Sequence, residues 1–69
     1  MKVKFTDSRG GEYEGKLVGE WHTAEGMDMY IIAPFGHALS EPQPPFEKKP
    51  SAYYGYVALV PASEAEMIR

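Results

Sequence analysis

From Glu12 to His22 the chain alternates between apolar and polar residues, and this run constrains the fold more than any other feature. Tyr13, Gly15, Leu17, Gly19 and Trp21 fall on one side, and Glu12, Glu14, Lys16, Glu20 and His22 on the other; Val18 is the one break. A period of two is the signature of a β-strand with one buried face. Glycine at 15 and 19, on the apolar side, removes side chains where a strand must bend sharply or admit a neighbour closely. The segment therefore predicts a long, strongly coiled strand.

Shorter versions of the pattern flank it. Val3 and Phe5 alternate with Lys2, Lys4 and Thr6, and Asp7-Ser8-Arg9-Gly10-Gly11 then turns the chain. After a second turn at Thr23-Ala24-Glu25-Gly26, Met27, Met29, Ile31 and Ala33 share one face of a third strand, with Asp28, Tyr30 and Ile32 on the other. Tyr53 to Val60 reads as a strand that is apolar on both faces, which needs cover on both sides. Residues 34–51 hold Pro34, Pro42, Pro44, Pro45 and Pro50, and they read as a long proline-rich loop because proline removes ladder donors. Beyond Pro61, Ser63 and Glu66 have capping-box spacing and predict a helical turn over Glu64 to Ile68, packed through Met67 and Ile68.

Sixty-nine residues make one domain, 1–69, close to the lower limit for a self-sufficient core. Ordering them costs on the order of 100 kcal/mol at about 1.5 kcal/mol per residue, which burial in so small a domain barely exceeds. There is no cysteine to staple the chain, so a disulfide-rich miniprotein is excluded and oligomerisation becomes an available source of stability. Short bent strands, a long loop and a closing turn predict an all-β fold, a small SH3-like barrel of strongly bent antiparallel strands with a C-terminal helical turn. The competing architecture is an open antiparallel sheet carrying a C-terminal helix.

Two stretches resemble the plasmid-borne type II dihydrofolate reductases, which are small SH3-like barrels assembled as tetramers. Tyr13-Glu14-Gly15-Lys16-Leu17-Val18-Gly19 is similar to that family's aromatic-x-Gly-x-Ile-Val-Gly strand. Val57-Ala58-Leu59-Val60-Pro61, followed by Ala62 to Ile68, resembles its final Val-Gln-Ile-Tyr-Pro strand and closing turn. The resemblance covers about a quarter of the chain and implies the fold and self-association. The family's pore-lining Gln and Tyr fall on Ala58 and Val60, so its folate and NADPH chemistry does not carry over, since a fold does not bring its reaction with it.

Ten acidic and seven basic residues give a net charge of −3, which argues against a phosphate-neutralising surface unless Lys2, Lys4, Arg9 and Lys16 cluster on one face. The charged start, Met1 to Asp7, and a longest apolar run of only Met29 to Phe35 give neither a signal peptide nor a membrane span, and a cytoplasmic protein without a membrane partner is expected. No nucleophile elbow, Walker loop or dinucleotide fingerprint is present, so neither a catalytic residue nor a cofactor is assigned. His22, His37 and Asp28 lack the spacing of a metal site, and no metal ligands are assigned. Glu12, Glu14 and Glu20 read as a solvated strand face opposite lysines rather than as paired catalytic carboxylates.

What remains is the aromatic content. Trp21, Tyr30, Phe46, Tyr53, Tyr54 and Tyr56 are the candidate partner-binding residues, because a domain this small cannot bury so many rings, and Trp and Tyr dominate interface hot spots. The plainer alternative puts Trp21 and one or two tyrosines in the core. Pro42-Gln43-Pro44-Pro45 is a PxxP segment that either docks on a partner or serves as a stiff connector, with Phe46 available as an anchor for an internal or subunit contact. The sequence thus predicts an interaction protein that self-associates or binds a protein partner through an aromatic strand surface. The alternatives are a small-molecule-binding or reductase-like oligomer with a site shared between subunits, and nucleic-acid binding.

Overall fold

A computed structural model describes residues 1–36 and 43–68. It contains β1 (Lys2–Thr6), β2 (Glu12–His22), β3 (Asp28–Pro34), β4 (Glu47–Ser51), β5 (Gly55–Pro61), a 3₁₀ turn (Ala62–Glu64) and β6 (Ala65–Ile68). The strands form one antiparallel sheet in the order β4-β5-β3-β2-β1-β6, with β4 and β6 as its edges. The fold is all-β, as the alternation predicts.

Register explains the core. Phe5 sits opposite Tyr13, Leu17 opposite Ile32, Ile32 opposite Ala58, and Tyr30 opposite Val60. Directly opposed residues share a face, so these pairs lay one apolar stripe across four strands. Val3, Phe5, Ile32, Ala58 and Val60 are at most 1% exposed, with Tyr13, Leu17, Tyr30 and Ala65 packed against them. Gly15 is required here for space: a Cβ would lie 2.4 Å from the Ala33 carbonyl oxygen and 2.6 Å from Ile32 Cγ2.

The structure corrects three of the sequence-based expectations. Residues 34–51 are not all loop, because Glu47–Ser51 forms β4 against β5, an edge strand in which Pro50 is tolerated since one side of the ladder is free. The last strand begins at Gly55, leaving Tyr53 and Tyr54 in the turn before it. The helical turn over Glu64–Ile68 does not form. The 3₁₀ turn ends at Glu64 without a side-chain cap, and Ala65–Ile68 pairs with β1 instead, with Met67 opposite Val3 and Ala65 opposite Phe5. Four residues gain more from a ladder that extends the sheet beyond Val3 and Phe5 than from an isolated helical turn.

Phe46 is a core residue, 3% exposed, so it is not available to a partner as the sequence reading proposed. Its ring stands edge-on to Phe5 at 5.0 Å and to Tyr13 at 5.2 Å, and Phe5 and Tyr13 stack at 5.5 Å. Phe46, rather than the exposed prolines before it, is thus an internal plug. Pro44 and Pro45 lie in a turn, and the Pro44 carbonyl accepts a 2.7 Å hydrogen bond from Ser8 N–H. Pro42, the first residue of the PxxP segment, lies outside the described residues.

Below this plug, Asp7 organises the β1–β2 turn. Its Oδ1 accepts from the N–H groups of Arg9 (3.0 Å) and Gly11 (2.8 Å), and its Oδ2 accepts from the Tyr13 hydroxyl (3.0 Å). Burial alone would raise the Asp7 pKa. The bonds from Gly11, Tyr13 and Arg9, with the Arg9 charge, outweigh it and hold the carboxyl below its ordinary value. The Tyr13 phenol is correspondingly raised, first because its proton is donated to Asp7 and then by burial.

Two outcomes follow from this packing. Phe46→Ala is expected to cost about 3–5 kcal/mol, the range for emptying a buried aromatic site. Urea titration would show this as a collapse of the folded baseline; a loss below about 1 kcal/mol would mean that Phe46 does not plug the core. Because the folded Asp7 pKa is depressed, its stabilisation is fully present above the unfolded value of about 3.9 and is lost as pH falls through the folded value. Thermal melts from pH 5 downward are therefore expected to fall steeply for the wild type and more gently for Asp7→Asn, and parallel curves would contradict this role.

Candidate functional site

The surface is organised by an irregularity in β2. Leu17 pairs with Ile32, but the next pair is Gly19 with Ile31, so Val18 is an extra residue in a β-bulge. One inserted residue reverses the parity of everything after it. Trp21 therefore sits opposite Met29, on the face away from Leu17, and this corrects the expectation that both share one apolar face.

Before the bulge, the outer face is charged. Lys2 meets Glu14 at 3.3 Å and Lys4 meets Glu12 at 3.4 Å, the cross-strand pairing expected from sequence. Such half-exposed pairs contribute about 0.2–1 kcal/mol each, and they engage two of the lysines a nucleic-acid surface would need. After the bulge the outer face is apolar. Pro61, Met29 and Trp21 form one row across β5, β3 and β2; Leu59, Ile31 and Gly19 form the next. Trp21 is 50% exposed and the other five are partly exposed. Glu47, opposite Leu59, supplies a charged margin on the β4 side. Three strands span about 10 Å at their usual spacing, so the patch is the size of an interface centre rather than of a whole interface.

The other candidates do not join this patch. Tyr53, Tyr54 and Tyr56 lie around the β4–β5 turn, about 20 Å along β5 from Pro61. Ser51 Oγ accepts from the Tyr53 and Tyr54 N–H groups at 3.3 and 3.4 Å, and Gly55 takes the left-handed conformation (φ 75°) that closes the turn. Tyr53 is almost fully exposed, and the Tyr56 ring carries the Lys48 ammonium at 4.2 Å. Tyr30 faces inward and packs on the core. The six aromatic candidates therefore divide into one outer-face anchor, one turn cluster and two core rings.

Beside Trp21, His22 Nδ1 and Asp28 Oδ1 are 2.6 Å apart across the β2–β3 end, within a shallow depression of about 230 Å³ also lined by Glu20, Met29, Tyr30 and Ala62. His37 lies outside the described residues, and no group of three metal-ligating side chains occurs among the described ones. No helix among them is long and apolar enough to cross a membrane. Ala58 and Val60 are both fully buried in the core. No family model, curated protein or solved structure matches the chain.

The sequence signal for this surface was the break at Val18. Deleting Val18 is expected to remove the bulge while Leu17 stays opposite Ile32 and Gly19 opposite Ile31, so that Trp21 remains on the outer face and its collisional quenching by acrylamide is unchanged. Reduced quenching in a folded variant would show that β2 re-registers against β3 and that the Gly19–Ile31 pairing does not hold Trp21 outward.

Proposed function

We propose that this chain is a non-enzymatic interaction protein with an SH3-like barrel architecture, and that it engages a protein partner through the outer face of β2, β3 and β5. The observation that carries this reading is the half-exposed Trp21, set in line with Met29 and Pro61 and backed by Ile31 and Leu59. A half-exposed tryptophan that ends an apolar row, with charged residues at its margin, has the composition of an interface hot spot. The barrel reading is supported by the strand order, in which the last strand returns to pair with the first after a 3₁₀ turn, and by the resemblance to the type II reductases. Self-association through the same patch is the second form of this reading.

The reductase-like alternative draws on the resemblance alone, and burial of Ala58 and Val60 weakens it at the positions where a shared pore would need polar groups. Nucleic-acid binding is weakened by the net charge of −3 and by the engagement of Lys2 and Lys4 with glutamates.

Trp21 is the only tryptophan, so its fluorescence reports this face without interference. Partner or self-association is expected to shift its emission to the blue. Trp21→Ala is expected to weaken that association by about 30-fold or more, the 2 kcal/mol of a hot spot, while changing stability by no more than about 0.5 kcal/mol. Binding that survives Trp21→Ala and Leu59→Lys unchanged would remove this face from the function.

A further inference from the structure

The two edges of the open sheet are built differently. β4 carries Lys48, Lys49 and Pro50, the charges and proline with which edge strands discourage pairing with another chain. β6 has the sequence Ala65-Glu66-Met67-Ile68, with one charge and no proline, and among the described residues β1 is its only ladder partner. Met67 on this edge is 37% exposed. An unprotected edge next to a protected one points to a place where pairing is wanted rather than avoided.

We propose that β6 pairs antiparallel with β6 of a second copy of this chain, joining two sheets about a two-fold axis. This surface is separate from the Trp21 face and goes beyond the function proposed above. The occupant follows from register. Ala65 and Met67 lie opposite the core residues Phe5 and Val3, while Glu66 and Ile68 lie opposite Lys4 and Lys2 on the outer face. Keeping inner face continuous with inner face requires opposed residues of like parity. One such register sets Glu66 against its own copy, two like charges directly opposed, which is unfavourable. The next sets Met67 against Met67 and Glu66 against Ile68.

In that register the outer row across the junction reads Lys4, Glu66, then Ile68 and Lys2 of the second copy, so each Glu66 has Lys4 on one side and the apolar Ile68 of the second copy, rather than a second glutamate, on the other. The exposed Met67 side chains meet at the axis. The surface is thus complementary to itself, as an isologous two-fold contact must be, whereas pairing β6 with the protected β4 would give an open chain of molecules. Few residues contribute, so the dimer is weak and depends on concentration.

The test is light scattering of the full chain over a wide concentration range, with Met67→Lys and Met67→Cys alongside. The mass is expected to rise from 7.7 kDa toward twice that value for the wild type and to stay at 7.7 kDa for Met67→Lys, whose melting temperature shows whether it remains folded. The wild type has no cysteine, so Met67→Cys offers a second reading independent of any folding defect. Opposed strand residues have Cα atoms about 4.5–5.5 Å apart, within disulfide reach, and mild oxidation is expected to link most of the Met67→Cys chains but few Trp21→Cys chains. A wild-type mass fixed at 7.7 kDa at every concentration would overturn the proposal and leave the Trp21 face untouched. A dimer that links through Trp21→Cys and not Met67→Cys would overturn it in favour of self-association at that face.

Discussion

The contact on which the sheet depends is the one between Gly15 and Ala33. The space a Cβ would need at position 15 is filled by the Ala33 carbonyl and the Ile32 methyl, so β2 and β3 approach here more closely than any other residue would permit. That approach lets β2 serve two neighbours at once. Its first half pairs with β1 and closes over Phe5 and Val3; its second half pairs with β3 and closes over Ile32. Without a strand that can pass from one half to the other, a chain of this length would have two small layers and no shared core.

Having brought both halves onto one core, β2 then gives them different exteriors. The residue that does this is Val18, because the bulge changes parity between Leu17 and Gly19. Up to that point outward positions are Glu and Lys, whose cross-strand pairs keep the face solvated. Beyond it they are Gly19 and Trp21, facing Ile31 and Met29. A single inserted residue therefore separates a charged outer face from an apolar one, at no cost to the apolar stripe inside.

The same physics explains which parts of the structure were legible in the sequence. β1, β2 and β3 were readable because one face of each meets water and the alternation survives. β4 was not, since Lys48, Lys49 and Pro50 have the composition of a loop, and only the ladder with β5 makes a strand of them. β6 was misread because Ser63 and Glu66 satisfy a local helix-start rule that the non-local pairing with Val3 and Phe5 overrides. Phe46 has no apolar neighbours of regular period, so nothing local marks it as core; its burial follows from the turn at Pro44 and Pro45 and the bond to Ser8. Trp21 is exposed, but on the face opposite the one its alternation predicts, because a bulge leaves only one irregular residue in the pattern.

The placement of the remaining aromatics bears on how a small domain divides its rings. Phe5, Tyr13 and Phe46 occupy the centre as mutual neighbours, and Tyr13 keeps its hydroxyl satisfied by Asp7, so a polar atom enters the core without being left unpaired. With Tyr30 also packed inward, that interior has taken the rings that reach a polar partner or the core stripe. Trp21, Phe35 and the tyrosines of the β4–β5 turn are the exposed remainder, and Trp21 and those tyrosines lie at opposite ends of β5 rather than in one surface. A partner that covered Trp21 would therefore have to extend the length of a strand to reach Tyr53, which makes the two clusters separable in energy and in mutation.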